Sequence, residues 1–123
     1  MPDDIALAEA TIRARLAAEL PHWSTDGHAL FRQIQTGGWR ASLMVVNAIG
    51  HLAEVAWHHP ELDIAYASVR VRLSTHTANG VTDKDFALAR KIEDYVFWCP
   101  RHEGGPLEGL PPEPPYSYVD NDP

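Results

Sequence analysis

The chain has 123 residues but only one cysteine, Cys99, so no intrachain disulfide can form. Positive charge is scarce: 10 Lys and Arg face 17 Asp and Glu, for a formal net charge of −7. That balance argues against a phosphate grip on nucleic acid, which needs clustered cations. No apolar run approaches the ~20 residues that span a bilayer, and no secretory leader opens the chain. There is no phosphate loop, no internal repeat and no paired-cysteine zinc pattern; "CPRH" at 99–102 has a ligand-like spacing without a matching second half. The expectation is one cytoplasmic domain of ordinary size. An apolar share of 45% is enough to give it a core.

What the chain does have is histidine, 7 in all. The stretch "EVAWHHPELDIAYASVRVRLSTH", from Glu54 to His76, holds three of them. The elements around it are legible from period and turn chemistry. "PDDIALAEATIRARLAAEL" reads as a helix: Pro2 and two aspartates suit its start, and Ile5, Ala8, Ile12, Leu16 and Leu20 form one apolar stripe. "TDG" at 25–27 is a hairpin turn flanked by short strands around Trp23 and from Ala29 to Thr36. After Gly38 a second helix is expected to bury Leu43, Val46, Ile49 or Gly50, Ala53 and Ala56. A polar stripe on it comprises Asn47, His51, Glu54 and His58, and Pro60 bars continuation past His59.

Two strands follow, with a sharp change near Ala65–Ala67. Val69, Val71 and Leu73 alternate with Arg70, Arg72 and Ser74, giving one core face and one open face. "NG" at 79–80 is a turn. Thr82 can cap a last helix, with Asp85 three residues on, and Phe86, Ala89, Ile92 or Glu93, and Val96 trace its buried face. From Cys99 the text is rich in proline and glycine and has no period, so residues 99–123 read as a tail and residues 1–98 as the domain. Helix, two strands, helix, two strands, helix predicts an α+β domain: a four-stranded antiparallel sheet with helices on one face.

The histidines admit three readings: unrelated surface residues, metal ligands, or proton carriers. His51, Glu54, His58 and His76 could supply nitrogen and oxygen ligands, but their spacing is not that of a zinc helix. Imidazole ionises near neutrality, with an ordinary pKa of about 6.5, and serves as acid or base there. A dehydration needs both: an acid protonates the departing hydroxyl and a base removes a proton from the adjacent atom. Two imidazoles on opposite sides of a substrate, with a carboxylate such as Glu54 or Asp85 orienting one ring, are sufficient.

Glu54, the run His58-His59-Pro60, Tyr66, His76 and Asp85, at these spacings, closely resemble the signature of the pterin-4a-carbinolamine dehydratase family. "LSTH" before a glycine turn and "VTDKDFALARKI" after it look like that family's last strand and last helix, and Trp23 sits where the family has a tryptophan. The likeness covers roughly residues 21–97. It implies a lyase that removes water from 4a-hydroxytetrahydropterin to give quinonoid dihydropterin, in tetrahydrobiopterin recycling, without metal or organic cofactor. It implies His58, His59 and His76 as active-site imidazoles, with His58 and His76 moving protons and His59 contacting the pterin. Glu54 and Asp85 would be supporting carboxylates, and Trp23 would line the pocket against the flat ring or simply pack the hairpin. Tyr66 is expected to pack and Pro60 to shape the turn. A homodimer or homotetramer is implied as well, and a non-catalytic assembly or dimerisation factor is the alternative. Trp57 departs from the pattern, standing where the family often has a polar residue; so do "TGGW" at 36–39 and Thr77-Ala78. The tail after Trp98 lies outside the likeness, and its "PPEPPYSY" run suits polyproline II, as a solvated arm, an arm laid on the domain or a neighbour, or a contact for a protein partner or the oligomer.

Overall fold

The computed structural model describes residues 4–111 and 117–119. The chain runs α1 (Glu9–Glu19), β1 (Ser24–Thr25), β2 (Leu30–Gln35), α2 (Trp39–Ala56), β3 (Glu61–Ala65), β4 (Ser68–Leu73) and α3 (Asp83–Val96), with 3-10 turns at His76–Ala78 and Pro100–His102. The strands form one antiparallel sheet in the order β1-β2-β4-β3. Alternation decides its two faces. Leu30 and Ile34 of β2 and Val69, Val71 and Leu73 of β4 are buried in one cluster with Ile12, Leu16, Ile49, Ala53, Phe86 and Ile92 from the helices. The opposite face carries Phe31, Gln33, Arg70 and Arg72, where the Arg70 guanidinium lies 4.4 Å from the Phe31 ring centroid. This is the expected α+β sheet with helices on one side.

Arg32 interrupts the apolar run of β2 on the core side. Its Nε donates to Glu93 Oε1 of α3 at 2.7 Å, and the Trp23 indole N–H reaches the same oxygen at 2.8 Å. The charge is thus paired rather than stranded, which lets a strand with imperfect alternation hold its place.

Three expectations are corrected. The first helix starts at Glu9, well after Pro2; Pro2 and Asp3 lie outside the described residues. Residues 4–8 are not helical because tertiary bonds claim them, among them Leu7 N–H to Val81 O at 2.8 Å, and Ile5 is left 78% exposed rather than joining the stripe. Next, α2 buries Ala41, Ser42, Val45, Ile49 and Ala53, so Leu43 and Ala56 are exposed and Val46 is only partly covered. Ser42 sets that rotation: its hydroxyl bonds Thr36 Oγ1 at 2.7 Å and the Tyr66 carbonyl at 3.1 Å, so a polar residue occupies the buried face. Tyr66 contributes that carbonyl, while its side chain is exposed. Last, α2 ends at Ala56, so His58 lies beyond the helix instead of on its polar stripe; that the helix does not pass His59 is as expected ahead of Pro60.

Residues 117–119 lie along the end of β2. Val119 bridges Thr36, and Gly37 N–H donates to the Tyr118 carbonyl at 2.7 Å. Gly37 packs so closely on Ser117 that no side chain could replace its hydrogen. Tyr118 and Val119 pack against the core, and burial pushes the Tyr118 phenol pKa up. Most of the proline run, residues 112–116, lies outside the described residues. Among the described residues no helix is long and apolar enough to cross a membrane.

Candidate active site

The site begins at the C-terminus of α2. Trp57 adopts the left-handed conformation, φ 54° and ψ 47°. The His58 N–H then donates to Ala53 O at 3.1 Å and the Trp57 N–H to Glu54 O at 3.2 Å. These two bonds satisfy the last helical carbonyls and turn the chain sharply, the usual way a helix is stopped by a glycine, here with tryptophan in its place. The polar stripe proposed for α2 is therefore broken. His51 stays on the helix surface, exposed, whereas His58 leaves the helix and swings towards α3.

His58 Nε2 lies 2.7 Å from Asp85 Oδ1. Asp85 is wholly buried, and its other oxygen accepts from the Thr75 hydroxyl at 2.7 Å and the Thr82 N–H at 2.9 Å. Thr82 is the N-cap of α3, its hydroxyl oxygen accepting from Lys84 N–H, and Asp85 closes the capping box. One carboxylate thus ends a helix and holds an imidazole. A carboxylate only accepts, so His58 presents N–H at Nε2 and leaves Nδ1 for a ligand. Thr75 follows β4 and precedes His76, so Asp85 ties the turn carrying His76 to the ring of His58. His76 opens that 3-10 turn and is exposed.

Glu54 pairs with His59, not with His58: Oε1 is 2.9 Å from His59 Nε2, with both side chains largely exposed. The Trp57 ring meets His59 edge to face, centroids 5.1 Å apart and planes at 82°. Trp23 is 4% exposed and bonded to Glu93, so it is a core residue that presents almost no surface to an incoming ligand. Its expected place against the flat ring is not what the structure shows, because the N–H is satisfied only with the indole turned inward. Thr75 and Thr82 escaped the sequence reading as site residues; the only signal was the capping spacing of Thr82 and Asp85. Among the described residues no group of three or more His, Cys, Asp and Glu side chains is arranged to hold a metal ion.

A bulky residue at positive φ is strained by roughly 1–3 kcal/mol, and asparagine tolerates that region better. Trp57 is 76% exposed, so little burial offsets the strain. Trp57→Asn is expected to raise the thermal unfolding midpoint by several degrees, for a gain of roughly 0.5–1 kcal/mol. Calorimetry checks it; a lower midpoint would mean that the indole's contact with His59 outweighs the backbone cost.

The fold is thus an α+β sheet in which the end of α2 and the turn after β4 are joined by one buried carboxylate, Asp85, through His58 and Thr75. The chain belongs to the family described as pterin 4 alpha carbinolamine dehydratase, whose family model matches residues 5–95. A protein of Aquifex aeolicus assigned as a pterin-4-alpha-carbinolamine dehydratase is 37% identical over 96 residues, covering 78% of this chain and 96% of its own. One from Chloroflexus aurantiacus with the same assignment is 42% identical over 90 residues, 73% of this chain and 96% of its own. The crystal structure of a transcriptional coactivator/pterin dehydratase from Brucella melitensis superposes with a TM-score of 0.65 at 34% identity, covering 72% of this chain and 95% of that one. A pterin dehydratase-like protein identified as a RuBisCO assembly factor in the alpha-carboxysome shares the fold, with a TM-score of 0.50 at 17% identity over 60% of this chain and 86% of that one.

Proposed function

We propose that the chain dehydrates 4a-hydroxytetrahydropterin to quinonoid dihydropterin by histidine acid–base catalysis. The observation that carries this reading is the bridge His58–Asp85–Thr75, which sets a ring of fixed tautomer beside the turn that bears His76. In the reaction the bond between C4a and its hydroxyl breaks. An imidazolium gives that oxygen a proton, so it leaves as water. The adjacent ring nitrogen loses its proton to a second imidazole, and the freed electron pair closes the C=N bond. No electron leaves the pterin, so nothing need be oxidised or reduced.

Two rings with different surroundings suit the two proton transfers. His58, anchored through Nε2, offers Nδ1 from a fixed position. His76, exposed, can exchange its proton with water between turnovers. His59 with Glu54 forms the outer rim, where it contacts the pterin. The roles of acid and base within the pair follow the substrate's orientation.

A second reading is a non-catalytic partner that assists assembly or dimerisation, as the described roles of the two solved relatives suggest. The described part of the C-terminal arm, beyond the matched residues 5–95, favours it. A direct assay separates the two. Catalytic amounts of the chain are expected to speed the loss of water from 4a-hydroxytetrahydropterin well beyond the spontaneous rate. A rate equal to the spontaneous one leaves the binding role standing alone.

A further inference from the structure

We infer that residues Asp4–Leu7 form a strap that positions His76, with Asp4 as the positioning residue; this deepens the dehydratase reading and rests on it. The segment falls where a helix was expected, and it stays out of the helix while bonded to the turn beyond β4. Leu7 N–H donates to Val81 O at 2.8 Å. Gly80 lies against Ala6 so closely that a β-carbon there would come within 3.1 Å of the alanine methyl. Asp4 Oδ2 accepts from the Thr77 hydroxyl at 3.0 Å and from Lys84 Nζ at 2.9 Å. Lys84 and then Thr77 hold the Asp4 carboxyl below the usual carboxylate range, so it is charged throughout the neutral range.

Thr77 is the residue after His76, inside the 3-10 turn that carries the ring. The turn's base is closed by the Thr75–Gly80 bridge, Thr75 N–H to Gly80 O at 2.9 Å and Gly80 N–H to Thr75 O at 3.3 Å. Within it Ala78 N–H reaches Thr75 O and Asn79 N–H reaches His76 O, each at 3.1 Å; none of these bonds involves the side chains of His76 and Thr77 at its outer edge. Asp85 pins the turn from inside through Thr75, and Asp4 pins it from outside through Thr77. The imidazole between these anchors is exposed, so its position depends on the backbone beneath it. A proton carrier displaced by about 1 Å can cost up to about 100-fold in rate, so a device of this kind has catalytic weight without touching substrate.

The test uses the full chain. Asp4→Ala is expected to lower kcat about tenfold, with KM within about twofold and the unfolding midpoint little changed. Thr77→Val should reproduce the loss, Thr77→Ser should restore the rate, and the double variant Asp4→Ala/Thr77→Val should fall no further. A kcat within about twofold of wild type in Asp4→Ala, or losses that multiply in the double variant, overturns the strap. Amide exchange needs no turnover: Asn79 and Gly80 should exchange about tenfold faster in Asp4→Ala, and unchanged exchange is likewise fatal. Should the wild type fail to dehydrate the pterin, the function falls while the exchange measurement still decides whether Asp4 holds the turn.

Discussion

Asp85→Asn is expected to leave the domain folded and to remove most of its dehydratase turnover. The amide is nearly isosteric, but only one of its two polar atoms accepts. If its oxygen keeps the bonds from the Thr75 hydroxyl and the Thr82 N–H, its NH2 faces His58 Nε2. That nitrogen must then accept, so the His58 proton moves to Nδ1 and the ring offers the wrong tautomer to the ligand. Losses of about 10²–10⁴ in kcat accompany such a change where a buried carboxylate orients a catalytic imidazole. The cap of α3 survives, so the unfolding midpoint should stay near that of wild type. Asp85→Ala is the contrast: it removes the acceptor of two buried groups, the Thr75 hydroxyl and the Thr82 N–H, and of the half-buried His58, and opens the capping box, for a loss of roughly 2–4 kcal/mol. Steady-state rates, thermal melts and the nitrogen shifts of His58 check both. Full activity in Asp85→Asn would mean that the carboxylate serves only the helix.

His76→Ala carries the second large effect, and its stability outcome is the opposite of that for Asp85→Ala. The side chain is exposed at a turn, so its removal should change stability by no more than about 0.5 kcal/mol. Turnover is expected to fall about 10²–10⁴-fold, the range for losing a positioned general acid or base. Added imidazole should recover part of the rate, because the cavity left at the surface is open to a small base. A variant with unaltered kcat removes His76 from the proton path and leaves His58 and His59 to share it.

Only part of the site that these variants address is written locally. Thr82 and Asp85 announce a helix start by spacing alone, and the paired histidines before Pro60 announce a chain reversal. That Asp85 also receives His58 cannot be read the same way, since the partners are 27 residues apart. The choice of His59 rather than His58 as the partner of Glu54 follows from one backbone conformation, the left-handed Trp57, which sequence pattern does not favour in a tryptophan. Trp23 was placed correctly in the hairpin. Which way its ring faces was settled by Glu93, a residue 70 positions away.

The sequence by itself determined the strands, whose alternation of Val69, Val71 and Leu73 with arginines has a period of two. It also determined the turns at Asp26-Gly27 and Asn79-Gly80, the cap of α3 and the family of its histidines. Each of these is a local property: rotamers, turn geometry and the side a residue faces are decided within a few neighbours. Tertiary structure alone decided where α1 starts, how α2 is rolled and which carboxylate holds which imidazole. Asp4 and Lys84 are 80 residues apart, and a helix that hydrophobic period would have allowed from Pro2 gives way to their ion pair and to Leu7 on Val81. Helical propensity is worth a few tenths of a kcal/mol per residue, so a handful of specific long-range bonds outweighs it.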